Sequence, residues 1–259
     1  MIRACLLTLA MALPLEAQEL APETSKLPKV SGALTEADAP SSPSTENSTS
    51  ESGDVAPGMR DQLRVSDQEY ARCLADLDEL GVQYTEVAPI IPDGDKDCGV
   101  LRPLTITHVA SDIEILPPAT VRCDTARALG RWTQDFVLPA STRLSARGEL
   151  TAMENGSGYV CRRRNNLPDG KLSEHAFGNA FDLMAFRFAD GSRIAVQPRE
   201  ADGSMEEAFQ DATRGSACLE FSTVLGPGSN ASHADHLHFD IIARNNGFRL
   251  CEQGGVDPE

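Results

Sequence analysis

The chain has 259 residues, room for one substantial domain with appendages. Acidic side chains outnumber basic ones 39 to 23, and the resulting formal charge of −16 argues against nucleic acid as a partner, since phosphate binding needs clustered cations. With 41% hydrophobic residues a core can be buried, yet no internal apolar run approaches the roughly 20 residues of a membrane span.

Residues 1–17 have the layout of a secretory signal peptide. Arg3 supplies the positive region, Ala4 to Leu15 the apolar region, and Ala17 a small residue before a cleavage point. Cys5 lies at the start of the apolar region and not at its end, which does not fit a lipid-anchoring cysteine. The expected product is exported, soluble, and located in the periplasm or cell envelope of a bacterium. Residues 18–60 are rich in Pro, Ser, Thr and Glu and contain no aromatic side chain. Such a segment buries too little apolar surface to offset the entropy of ordering it, so it reads as a linker ahead of a folded domain over 61–259. Six cysteines follow, namely Cys73, Cys98, Cys123, Cys161, Cys218 and Cys251. An even number in an exported chain predicts disulfides, and sequential pairing, with 73–98 and 218–251 closing local loops, is the expectation.

Within the domain, Asp67 to Leu80 has the spacing of a helix, with Tyr70, Cys73, Leu74, Leu77 and Leu80 on one stripe and Gly81 as its stop. Val82 to Asp97 reads as irregular and Gly99 to Ala110 as a strand; His108, isolated there, reads as a satisfied polar residue. Pro117-Pro118 introduces the main amphipathic helix over Ala119 to Leu138, which carries the only tryptophan, Trp132. Leu144 to Asn155 reads as a strand or hairpin arm that turns at Gly156-Ser-Gly158 into Tyr159-Val-Cys161-Arg-Arg-Arg164. The three arginines read either as a solvated strand end or, since alternation puts Arg162 and Arg164 on one face, as aiming one of those two, Arg162 first, into a site, where a guanidinium suits a substrate carboxylate or amide oxygen.

Next comes Ser173-Glu-His175-Ala-Phe-Gly178-Asn-Ala180-Phe-Asp182. On one strand, Gly178, Ala180 and Asp182 would share a face and leave space beside the carboxylate. That strand should run on to Phe188, turn at Ala189-Asp-Gly191 and return over Ser192 to Val196. Met205 to Leu219 reads as a helix, and a Gly-Pro-Gly loop after Leu225 leads to His233-Ala-Asp235-His236-Leu-His238-Phe-Asp240. Here His236, His238 and Asp240 would share a strand face.

Four of the five histidines lie in these two stretches. His175, Asp182 and His238 form the nitrogen-and-oxygen ligand set of a catalytic zinc site, three protein ligands with one position open. His236 is the first candidate for general base and Asp235 the second, while His233 is placed to support a ligand or steady an oxyanion. A closed structural site with His233 or His236 as fourth ligand is the alternative arrangement.

The pattern Ser173-x-His175-x-x-Gly178-x-Ala180-x-Asp182 followed by His236-x-His238 resembles the LAS group of zinc metallopeptidases. That group contains D-alanyl-D-alanine peptidases, lysostaphin-type endopeptidases and the hedgehog signalling domain. The His233-x-x-His236-x-His238 spacing is most similar to the penicillin-insensitive murein endopeptidases. The wider layout, with Tyr159-x-Cys161-Arg162, Leu225-Gly-Pro and Asn230, looks like the bacterial extensin-like C-terminal domain family over about residues 65 to 252. The resemblance implies an α+β fold with a central antiparallel sheet and flanking helices. It also implies bound Zn2+ and hydrolysis of peptide bonds in peptidoglycan, with cross-link endopeptidase activity favoured. The families' ligand roles fall on His175, Asp182 and His238. Many D-alanyl-D-alanine peptidases have a glutamate base three residues before the last histidine, where this chain has the shorter Asp235. Hedgehog domains keep a similar zinc site without evident peptidase work, so a wall-binding module with a structural or vestigial zinc site is the second reading.

Overall fold

The computed structural model describes residues 57–93, 97–199 and 203–252, so the signal-peptide reading, all but the end of the linker and the last seven residues lie outside it. A helical turn, α1 (Met59–Gln62), precedes α2 (Asp67–Glu79). Helix α2 starts at a capping box, in which Ser66 Oγ accepts from the Glu69 amide and Glu69 accepts from the Ser66 amide. It buries Tyr70, Cys73 and Leu77. Strand β1 (Gln83–Glu86) forms inside the stretch expected to be irregular, followed by β2 (Pro103–Ala110) and β3 (Ile113–Arg122).

The main helix begins four residues later than its periodicity suggests. Ala119 to Arg122 continue β3, because Ala119 and Val121 alternate into the core while β2 pairs along them as far as Arg122. The helix α3 (Cys123–Trp132) then widens into a π turn (Thr133–Val137) and ends in α4 (Leu138–Ser141). The remaining elements are β4 (Leu150–Ser157), β5 (Ala180–Phe188), β6 (Arg193–Ala195), α5 (Met205–Glu220), β7 (Thr223–Leu225), β8 (Leu237–Asp240) and β9 (Leu250–Cys251).

The strands form one sheet in the order β1-β2-β3-β4-β5-β8-β7-β9, with β6 added beside β5. The fold is α+β as expected, but the sheet is mixed. Strand β4 runs parallel to β3 and β9 parallel to β7, whereas the other pairs are antiparallel. The cause lies in the connections: a helical crossover through α3 and α4 returns the chain to the same end of the sheet before β4 starts.

Trp132 holds the helices to the sheet. Its ring lies 5.0 Å from Phe239 and 6.5 Å from Phe186, and its indole N–H donates to the Thr213 carbonyl of α5 at 3.0 Å. Strand β5 reaches this core in two registers. Phe181 and Leu183 enter it first, Phe186 and Phe188 afterwards, and the switch occurs where the ladder with β4 skips Met184. That extra residue is a β-bulge, which exchanges the two faces of the strand. Before the bulge, Asp182 therefore faces away from the helices.

The disulfides are Cys73–Cys123, Cys98–Cys161 and Cys218–Cys251. Only the last agrees with sequential pairing. Cys73 lies on α2 and Cys123 opens α3, so helix packing outweighs nearness along the chain. No helix among the described residues is long and apolar enough to cross a membrane.

Gly178 also departs from expectation. It is not on the strand but ends a 3-10 turn (Glu174–Phe177) in left-handed conformation, at φ 67° and ψ 18°. A Cβ there would meet Val100 Cγ2 at 3.0 Å and the Arg122 amide nitrogen at 3.1 Å, so its smallness admits the backbone of β3. Gly178→Ala should lower the unfolding free energy by about 1–3 kcal/mol in urea titration. An unchanged midpoint would mean that the turn relaxes freely.

Candidate functional site

The two chemistry-bearing stretches meet in the sheet. Strand β5 pairs antiparallel with β8, and Asp182 stands directly opposite His238. His175 arrives from the 3-10 turn ahead of β5, which is tied down on several sides. The Val160 amide donates to the His175 carbonyl, the Gly99 amide to that of Ala176, and both the Arg122 amide and Thr125 Oγ1 to that of Gly178.

All three side chains are buried, and their ligating atoms lie within 4.8 Å of one another. His175 Nε2 is 3.2 Å from Asp182 Oδ1 and 3.2 Å from His238 Nδ1, and His238 Nδ1 is 2.9 Å from the same carboxylate oxygen. Each imidazole has an acceptor behind it. His175 Nδ1 donates to the Gly158 carbonyl at 2.7 Å, and His238 Nε2 to Asp240 Oδ2 at 3.3 Å. These acceptors orient both rings, so that each turns a lone pair inward once its inner proton gives way to a cation. The donor set of two nitrogens and one carboxylate oxygen therefore suits a zinc-like dication.

Burial by itself would raise the Asp182 carboxyl, but hydrogen bonds from His175 and His238 outweigh it and hold the group below the usual carboxylate range. Burial disfavours charge on His238 as well. The Asp182 and Asp240 carboxylates nevertheless push its pKa up to about 9 in the metal-free pocket.

Arg162 reaches this centre, with Nη2 3.9 Å from Asp182 Oδ2. Its position follows from the neighbouring Cys98–Cys161 bridge and from its carbonyl, which accepts from the Ser173 amide at 3.0 Å. His236 precedes β8 and presents Nε2 3.8 Å from Asp182 Oδ1, while its Nδ1 donates to Asp235 Oδ1 at 2.9 Å. The Asp235 side chain is 76% exposed and is taken up by this bond. His233 donates from Nδ1 to Asn230 Oδ1 at 2.7 Å, an oxygen that the Ser232 amide also identifies as the acceptor. Burial first, then the nearby His238 and His236, lower the His233 pKa to about 4. Its neutral ring thus offers a lone pair at Nε2, not a donor.

The sequence places Asp240 on this face without a task, Gly158 only in a turn and Asn230 only in the family layout. The period-two spacing His238-x-Asp240 was the available signal for Asp240. A backbone carbonyl such as that of Gly158 leaves no signal in side-chain chemistry. His108 stays apart from the cluster, bonded to Thr107 Oγ1.

Asp240→Asn should weaken zinc binding about 10- to 100-fold, because the His238 ring loses its carboxylate acceptor. Unaltered affinity in a chelator competition would remove Asp240 from this role. A dication must also displace the His238 proton. Below about pH 9 binding should therefore release one proton from that ring, and affinity should climb with pH until His238 is neutral in the free protein. Calorimetry in two buffers of different ionisation enthalpy measures that proton, and identical heats would refute its release.

One family model, described as "Extensin-like protein C-terminus", matches residues 71–252. Among curated proteins none matches the chain, nor does any solved structure.

Proposed function

The chain belongs to the extensin-like C-terminal family, and from that premise we propose that it is an exported zinc peptidase acting on peptide bonds of peptidoglycan, with cross-links as the favoured target. The likeness of the two histidine motifs to the LAS metallopeptidases supports the substrate class. The observation that carries the chemistry is the convergence of four side chains on one carboxylate: His175, His238, His236 and Arg162 all approach Asp182.

His175 Nε2, Asp182 Oδ1 and His238 Nδ1 would hold the ion. When bound, zinc polarises a carbonyl and lowers the pKa of water towards neutrality. The chain's own groups supply the rest. His236 Nε2 carries the lone pair that accepts a proton from the attacking water, because Nδ1–H is committed to Asp235. The same ring then returns that proton to the departing amine. Arg162 sets a fixed positive charge beside the reacting carbonyl, whose oxygen becomes negative as the bond is attacked. Asp235 acts through His236 by orienting it, and its exposure makes that contribution modest.

Incubating the zinc-loaded protein with purified muropeptides and weighing the products tests the reading. Cleavage at a peptide bond is expected; intact muropeptides with zinc verified in place would remove the peptidase and leave a wall-binding module. His236→Ala should cost about 10²- to 10⁴-fold in rate at retained zinc, and Asp235→Ala considerably less. The reverse order would make Asp235 the base.

A further inference from the structure

We propose that the site includes a subsite for a free carboxylate close to the bond that reacts, formed by Arg244 together with Arg162. This deepens the peptidase reading and takes its place in catalysis from it. Both guanidiniums line a cavity of about 180 Å³ on the His233 and His238 side of the centre.

Arg244 follows β8 and leads into a short helical turn (Asn245–Gly247). Its Nη2 donates to Thr223 Oγ1 at 2.6 Å, and Thr223 stands opposite Asp240 in the sheet. The guanidinium is therefore fixed two residue pairs along the ladder from His238. Among the described residues no carboxylate comes within 4.0 Å of it, and its buried Nε has no hydrogen-bond partner. Among the described residues the one acid within that distance of Arg162 is Asp182, which two imidazoles already share. Glu174 and Asp240 also line the cavity, but each is engaged. Glu174 accepts from Asn179 and faces Arg164 at 3.5 Å, while Asp240 holds His238 and the Ile242 amide.

The fold thus leaves Arg244 without a carboxylate, and Arg162 facing only one that two imidazoles already share, in one small cavity of a chain whose formal charge is −16. Leaving a cation partly desolvated and unpaired is costly, and an anionic ligand removes that cost. The planar, forked guanidinium matches a carboxylate in shape as well as charge. The cavity is below the roughly 300 Å³ at which pockets for larger ligands begin, so it admits one end group or side chain and not a polymer.

The test compares N-acetyl-D-alanine with N-acetyl-D-alaninamide on the metal-free protein, where no ion can attract the acid. NMR titration of the histidine ring signals reads the affinity. The acid should bind at least about tenfold more tightly than the amide, the size of one charge-assisted hydrogen bond. Arg244→Gln should lose that preference with amide binding unchanged, and Arg244→Lys should recover part of it. Equal affinities in wild type, no binding of the acid, or an undiminished preference in Arg244→Gln would each overturn the subsite. Should Arg244→Gln melt early, the wild-type preference and its loss with added salt decide without it; a preference that salt leaves intact is not electrostatic and also overturns the subsite. Muropeptide cleavage without the acid preference would overturn the subsite and leave the peptidase, and the preference without cleavage would do the opposite.

Discussion

Everything at this centre depends on one buried contact, the Asp182 carboxylate facing His238 across β5 and β8. Removing a carboxylate from water costs several kcal/mol, and two imidazole N–H groups or a cation must offset it. Each imidazole is in turn anchored from behind, by Gly158 and by Asp240. The arrangement is sensitive to register. Sliding either strand by one residue would carry Phe181 or Phe239 into the polar pocket and turn Asp182 or His238 onto Trp132. The hydrophobic alternation that builds the core and the polar alternation that builds the site are thus the same constraint, seen from two faces of the sheet.

The turn that carries His175 is secured by a second polar system. Arg122, at the end of β3, donates its amide to the Gly178 carbonyl and a guanidinium N–H to Asn179 Oδ1 at 2.9 Å. Asn179 passes the connection to Glu174 Oε2 at 2.9 Å, and Glu174 adjoins His175 in the chain. Burial raises the Glu174 carboxyl and lowers Arg122; Asn179 limits the first shift, and Asp124 followed by Glu174 the second. A core strand is thereby coupled to the position of a site histidine through hydrogen bonds alone.

Local chemistry made the site legible in the sequence, and long-range geometry hid much of its setting. His175, Asp182 and His238 were readable because four of the five histidines crowd into two short stretches that also hold carboxylates, a clustering few structural roles demand. Helix α2 was readable from its stripe and its glycine stop. The start of α3 was not, because Ala119 to Arg122 satisfy helical and strand spacing alike and only pairing with β2 decides between them. The bulge at Met184 has no residue signature, although it determines which face Asp182 occupies. The Cys73–Cys123 bridge depends on how two helices pack, which spacing along the chain does not encode. Gly178 was noticed for the right property and given the wrong neighbour: its small size serves β3, not an ion.

The two outer histidines show how acceptors divide roles between similar side chains. His233 and His236 are three residues apart, with ring centroids 5.2 Å from each other, and both donate from Nδ1. The Asn230 amide oxygen carries no charge, so it fixes the His233 tautomer without stabilising an imidazolium. The acceptor on His236 is instead the Asp235 carboxylate. A ring that must take up a proton and give it back needs a partner that tolerates the charged form, and of the two only His236 has one. Burial adds to the contrast by keeping His233 neutral down to a pKa of about 4. In the proposed reaction the proton-transfer role therefore falls to His236, and His233 remains a neutral acceptor on the wall of the cavity.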